Sequence, residues 1–136
     1  MTDTSRPRLK KIEGLKQEHF GGVFRQVFFS PESTGNRYLK MAYLDVPPGA
    51  KGTPHVHLGE ELVYTIQGKA SLTIDGEEYL LEEGTCFLIP PEVKHPARVL
   101  GDENWIAVAA YCDECPVLKR ALHKEHIHYP VSTDSP

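Results

Sequence analysis

The sequence predicts an all-β barrel or sandwich, and three observations carry this prediction. Runs of strand-forming residues recur at intervals of about 8–12 residues, with Gly and Pro between them. An Asp-Gly pair at 75–76 separates two such runs, as in two-residue hairpin turns. No long helical pattern competes before residue 116. With 136 residues, the chain is long enough for one domain with a real core and too short for two ordinary domains.

The predicted strands are rich in β-branched, aromatic and other apolar residues, and Gly, Pro, Asp or Asn ends most of them. They cover residues 23–29, 38–46, 61–67, 69–74, 77–81, 85–89, 95–100 and 104–111. We expect a disordered lead over residues 1–8, a barrel over 9–116 and a C-terminal extension over 117–136. The extension is predicted to be irregular or to contain a short helix.

Composition limits the partners of this chain. Its 15 basic and 19 acidic residues give a net charge of −4, so it offers no concentrated positive field for nucleic acid. The expected partner is a small molecule. The first residues lack the apolar core of a signal peptide, and no apolar run is long enough to span a membrane. A cytoplasmic location is the expectation, and three cysteines without an export signal argue against a disulfide framework.

Two histidines and a carboxylate form the main candidate site. His55 and His57 would lie about 200° apart around a helix, whereas on a strand they face the same side. Glu61 would be roughly 13 Å from His57 along a straight strand, too far to share one ion. The chain must therefore bend between them, and Gly59 can adopt the positive φ of a tight turn. The alternative for these residues alone is a pair of surface histidines and a solvated acid.

This stretch resembles the first sequence motif of the cupin superfamily. That motif has a glycine, five residues, His-x-His, three residues, Glu, six residues and a glycine, and the matching positions are Gly49, His55, His57, Glu61 and Gly68. The second cupin motif is matched by Gly84, Pro90 and His95. Two positions depart from the family pattern. Glu92 replaces a glycine near the turn before His95, and Val99 replaces an asparagine and leaves the site more apolar.

The resemblance implies a double-stranded β-helix, or jelly-roll, barrel that binds one divalent transition metal ion. Iron, manganese, zinc and nickel all accept its donor set, so the identity of the ion stays open. The implied ligands are His55, His57, Glu61 and His95. The resemblance also implies a homodimer, and the strand region at 22–30 is a candidate for pairing between subunits because edge strands otherwise remain unpaired.

The expected function is that of a metal-dependent enzyme acting on an oxygenated small molecule. Dioxygenase chemistry and non-redox cyclase or isomerase chemistry both remain open. The apolar Val99 favours an aromatic or polyketide-like substrate. Glu92 is a candidate acid or base, with an exposed turn residue as the alternative. The competing hypothesis for the whole chain is a non-catalytic sensor module that binds a metal or a ligand.

A second constellation follows the last predicted strand. Two cysteines in a Cys-x-x-Cys spacing precede three histidines, which allows a zinc site, a redox dithiol or ordinary surface residues. These residues are Cys112, Cys115, His123, His126 and His128. Cys86 is predicted to be a small buried thiol, and Tyr64 is predicted to face away from the metal because its strand parity differs from that of Glu61.

Overall fold

The computed structural model describes residues 8–20, 22–50, 59–91 and 97–112. Its strands are β1 (Glu18–Phe20), β2 (Val23–Phe29), β3 (Lys40–Val46), β4 (Glu61–Gln67), β5 (Lys69–Ile74), β6 (Glu77–Glu82), β7 (Cys86–Ile89), β8 (Ala97–Leu100) and β9 (Trp105–Tyr111). A 3-10 turn covers Ile12–Gly14, and the short helix α1 covers Pro31–Thr34.

The strands form two antiparallel sheets. The larger sheet has six strands in the order β1-β2-β3-β9-β4-β7, and the smaller has three in the order β6-β5-β8. The hairpin between β5 and β6 turns at Asp75 and Gly76, whose φ angles are 51° and 79°. Two consecutive positive φ angles are the signature of the type I′ turn that Asp-Gly favours. The predicted hairpin is therefore confirmed.

The apolar core lies between the two sheets. The six-stranded sheet contributes Val46, Val63, Ile89, Trp105, Ala107 and Ala109, and the three-stranded sheet contributes Ala70, Leu72, Ile74, Leu81 and Val99. Both sheets thus bury one face against a common interior, which is the arrangement of a jelly-roll barrel. The predicted all-β fold class is confirmed.

Several local predictions differ from the structure. Cys86 is exposed rather than buried, because Phe87 and Ile89 take the inner face of β7 and turn Cys86 outward. β2 is not an edge strand, because β1 pairs with its other side through the register Glu18 to Arg25. This pairing covers residues 23–25 of β2, and the pairing of the 22–30 region between subunits remains a prediction. The segment after β2 contains the short helix α1.

The helices within the described residues are short. Among residues 8–20, 22–50, 59–91 and 97–112, no helix is long and apolar enough to cross a bilayer. The predicted lead at 1–8 and the extension at 117–136 fall almost wholly outside these ranges. The proposed domain boundaries remain predictions.

Candidate functional site

Glu61 is the one predicted metal ligand that lies within the described residues. It is the first residue of β4 and is only 8% exposed. Val63 and Thr65, which share its strand parity, are buried as well, whereas Tyr64 is 48% exposed. Glu61 therefore lies on the inner face of the barrel, and the predicted outward orientation of Tyr64 is confirmed.

Gly59 precedes this strand and has a different role from the one predicted. It is not among the described residues with positive φ. A Cβ atom at this position would overlap the carbonyl oxygen of Cys112 and lie 3.1 Å from its carbonyl carbon. The glycine is therefore required by the close approach of two backbones rather than by a left-handed turn. This approach holds the end of β9 against the start of β4, next to Glu61.

The described ends of the two histidine-bearing segments are neighbours. The amide of Val99 donates a hydrogen bond to the carbonyl oxygen of Ala50 at 3.5 Å. Ala50 lies shortly before His55 in the sequence, and Val99 lies shortly after His95. Val99 itself is 8% exposed and belongs to the core.

The other predicted site residues lie outside the described residues. They are His55, His57, Glu92 and His95, together with Cys115, His123, His126 and His128. Their roles remain predictions. What the structure does supply for a metal is a buried carboxylate on the inner face, a donor that divalent first-row ions accept alongside imidazole. Glu61, the implied ligand among the described residues, therefore has the donor chemistry that the implied metal requires.

A row of side chains crosses the inner face at Glu61. Register pairs place Glu61 opposite Ile89 of β7 and Tyr111 of β9, and Tyr111 opposite Lys40 of β3. The ammonium nitrogen of Lys40 lies 5.5 Å from the centroid of the Tyr111 ring. Directly paired residues share a face in an antiparallel sheet, so Lys40, Tyr111 and Glu61 line the same side.

Arg25 reaches the same row from β2. Its Nη1 donates a hydrogen bond to the hydroxyl oxygen of Tyr111 at 3.4 Å, and its Nη2 lies 3.5 Å from Oε1 of Glu18. The sequence analysis did not identify Arg25, Lys40 or Tyr111 as site residues. Arg25 and Lys40 lie on the consecutive strands β2 and β3, whereas Tyr111 lies on β9, and the register of β2, β3, β9 and β4 brings the three together. The sequence signal that could have identified Arg25 and Lys40 is a basic side chain on a strand parity that is otherwise apolar.

Two groups away from this row have shifted pKa values. A hydrogen bond from its own backbone amide lowers the pKa of Glu32 at the start of α1. The pKa of Tyr79 is raised because its hydroxyl donates to Glu77 Oε2 at 2.6 Å and loss of the proton would place two negative charges together. Neither group belongs to the candidate site.

The chain is similar to known proteins in sequence and in fold. The profile of the Cupin domain family matches residues 42–111, about half of the chain. Polyketide synthase CurC from Streptomyces cyaneus is 28% identical over 103 residues, which are 75% of this chain and 67% of that protein. A structure of an RmlC-like cupin from Shewanella frigidimarina has a TM-score of 0.67 and 25% identity, covering 79% of this chain and 91% of its own. A predicted oxalate decarboxylase from Thermotoga maritima has a TM-score of 0.68 and 17% identity, covering 76% of this chain and 97% of its own.

Proposed function

Since this chain belongs to the cupin domain family, we propose that it is a metal-dependent enzyme acting on an oxygenated small molecule. His55, His57, Glu61 and His95 would hold one divalent transition metal ion. The observation that carries this proposal is the buried carboxylate of Glu61 on the inner face of the barrel. A carboxylate at this position is a donor that divalent first-row ions accept beside imidazole.

The substrate is proposed to be aromatic or polyketide-like. Core residues near the described parts of the site are apolar, with Val99 buried and Phe87 packed against the core. Such a lining suits a flat carbon skeleton better than a free sugar. The name of the relative CurC, a polyketide synthase, agrees with this substrate class.

The protein's own residues would bind and orient the substrate. Glu61 would help hold the ion, which supplies Lewis-acid chemistry or oxygen activation when bound. The apolar inner faces of β4, β7 and β9 would exclude water from the reacting group. Glu92 is proposed as the acid or base that moves a proton. Dioxygenase and non-redox cyclase or isomerase chemistry use the same site in this proposal.

Elemental analysis of untagged protein purified without chelators tests the metal site. We expect about one equivalent of a divalent transition metal per chain. Replacing Glu61 with Gln should lower the metal affinity by about tenfold or more, since even partners of metal ligands are worth that much. Glu60→Gln is the matched control, because Glu60 is adjacent and exposed. A stoichiometric, equally tight metal in Glu61→Gln would disprove the assignment of Glu61.

Two further results would decide the class of function. Oxygen consumption with catechols or diketones would identify a dioxygenase, and turnover without oxygen would identify a cyclase or isomerase. A metal-loaded protein that binds these molecules without converting any of them would favour the sensor module instead. Glu92→Gln should reduce turnover while leaving the metal content unchanged.

A further inference from the structure

We propose that Tyr79 and Phe87 select an aromatic substrate by packing against its ring, one row of side chains away from Glu61. This role rests on the proposed function and deepens it, because it assigns the choice of substrate to two named side chains. Neither residue carries out the chemistry, and both are specificity-determining residues. The position of this aromatic pair, the exposure of Tyr79 and the fixed orientation of its ring support the proposal.

The aromatic pair lies where the two sheets part. β6 is the last strand of the smaller sheet and β7 is the last strand of the larger, and a tight turn connects them. Two backbone hydrogen bonds of 3.0 Å tie that turn to Thr65 of β4. The amide of Gly84 donates to the carbonyl oxygen of Thr65, and the amide of Thr65 donates to the carbonyl oxygen of Thr85. β6 and β7 therefore lie together at this turn and separate into different sheets away from it.

Along β4, the aromatic pair lies between this turn and Glu61. Phe87 is directly opposite Val63, and Ile89 is directly opposite Glu61. Val63 is two residues from Glu61 on the same face, a separation of about 7 Å along the strand. Tyr79 reaches Phe87 from the other sheet, with the ring centroids 4.8 Å apart and the ring planes tilted by 49°. A molecule with one aromatic ring and an oxygenated side chain is therefore long enough to contact the pair and an ion at Glu61 together.

The inward side chains of β6 become more exposed as the strand leaves the turn. Leu81 pairs with Ala70 and is 2% exposed, whereas Tyr79 pairs with the buried Leu72 and is 36% exposed. Directly paired residues share a face, so Tyr79 faces the interior of the barrel and is nevertheless in contact with solvent. The separation between the two sheets is thus open to water at Tyr79. A ring that packs there would remove apolar surface from water.

The Tyr79 ring is oriented before a ligand binds. Its hydroxyl donates to Glu77 Oε2 at 2.6 Å, and its ring packs against Phe87. Because the hydroxyl is already engaged, Tyr79 offers a ligand its ring rather than a hydrogen bond. A preoriented aromatic surface has little conformational freedom left to lose, and it prefers another aromatic ring in tilted or offset contact. The pair would therefore favour an aromatic substrate over an aliphatic one with the same oxygen donors.

Titration calorimetry with benzoylacetone and acetylacetone tests this role on the full-length protein as purified. Both probes carry the same diketone group, and only benzoylacetone carries a phenyl ring. Tyr79→Leu should weaken benzoylacetone binding by about two- to tenfold, the worth of one aromatic contact. Binding of acetylacetone should change little. Tyr79→Phe keeps the ring without the hydroxyl, so it should keep the preference for benzoylacetone.

Tyr64→Leu is the matched control, because Tyr64 is also an exposed strand tyrosine, at 48%, but lies on the outer face of β4. This variant should keep the benzoylacetone preference of the wild type. Phe87→Leu gives an independent measurement and should reduce the same preference. If Phe87→Leu does not fold, Tyr79→Leu decides the proposal, since Tyr79 lies on an edge strand and is already partly exposed.

A wild type without a preference for benzoylacetone, or an unchanged preference in Tyr79→Leu, would overturn the role of the aromatic pair. Metal content measured on the same samples separates this result from the proposed function. A protein that contains metal but shows no preference refutes only the role of the pair. A metal-free protein whose preference depends on Tyr79 supports that role and refutes the metal centre.

Discussion

Thr65 and Trp105 show how a polar pair is accommodated in an apolar core. The indole Nε1 of Trp105 donates a hydrogen bond to Thr65 Oγ1 at 3.1 Å, and Thr65 is 0% exposed. Without the hydroxyl, the indole N–H would stay buried with its partner removed. The cost of such a loss is set by desolvation of the donor rather than by the modest net value of the bond.

Thr65→Val is therefore expected to lower the free energy of unfolding by ~1–3 kcal/mol. Urea denaturation followed by fluorescence measures this well, because Trp105 is the single tryptophan of the chain. Thr73→Val, the same change at a half-buried position on β5, should stay within about 0.5 kcal/mol of the wild type. The interpretation fails if Thr65→Val costs as little in a wild-type background as it does combined with Trp105→Phe.

Gly68 is fixed by the packing between two elements. Its φ is +79°, and a Cβ atom there would overlap the carbonyl oxygen of Asn104 and lie 3.1 Å from the Cα of Trp105. Gly76, in the β5–β6 hairpin, has the same φ, and a Cβ atom there would meet nothing within 4 Å. Gly76 therefore requires only a residue that tolerates a positive φ, whereas Gly68 also requires a residue without a Cβ atom.

Gly76→Ala should cost ~1–2 kcal/mol, the price of a left-handed residue with a Cβ atom. Gly68→Ala should cost a further ~1–3 kcal/mol, because the added methyl group forces β4 and β9 apart. Urea denaturation of both variants checks the difference. Equal losses would show that the Gly68 position depends on its dihedral angle alone.

The elements also show what the sequence can and cannot predict. The strand formed by Glu61–Gln67 matches its prediction because it is rich in strand-forming residues and Gly68 follows it, although its buried face includes the polar Glu61 and Thr65. The four residues of β7, Cys86–Ile89, are all apolar or weakly polar, so periodicity could not tell which face is buried. β1 has three residues, too few for any pattern.

The candidate site likewise contains residues that a sequence motif can locate and residues that it cannot. Motif spacing located Glu61 because its neighbours in sequence define it, and the structure places it on the inner face. Arg25 and Tyr111 are 86 residues apart, and their contact depends on the register of four strands. Register follows from turns and packing across the whole sheet, which no local pattern encodes.

At the scale of the whole molecule, the outer face of the six-stranded sheet is unusually apolar. The described outward positions of β4, β7 and β9 carry no charged side chain; they are Leu62, Tyr64, Ile66, Cys86, Leu88, Ile106, Val108 and Ala110. Leu62 and Leu88 pair directly and are 48% and 50% exposed. Contiguous apolar surface of this kind marks an interaction site in proteins that otherwise remain monomeric.

We propose that this outer face pairs two copies of the chain, in place of the 22–30 region, of which β1 already covers residues 23–25. A two-fold axis through the sheet would bring the same apolar rows together, as an isologous interface requires. Leu62→Glu should convert the dimer into a folded monomer, because each interface would then bury two unpaired carboxylates. Sedimentation analysis measures the change. Leu80→Glu is the control, since Leu80 is equally exposed but lies on β6 of the other sheet. A monomeric wild type, or a Leu62→Glu variant that remains dimeric, would contradict the assignment.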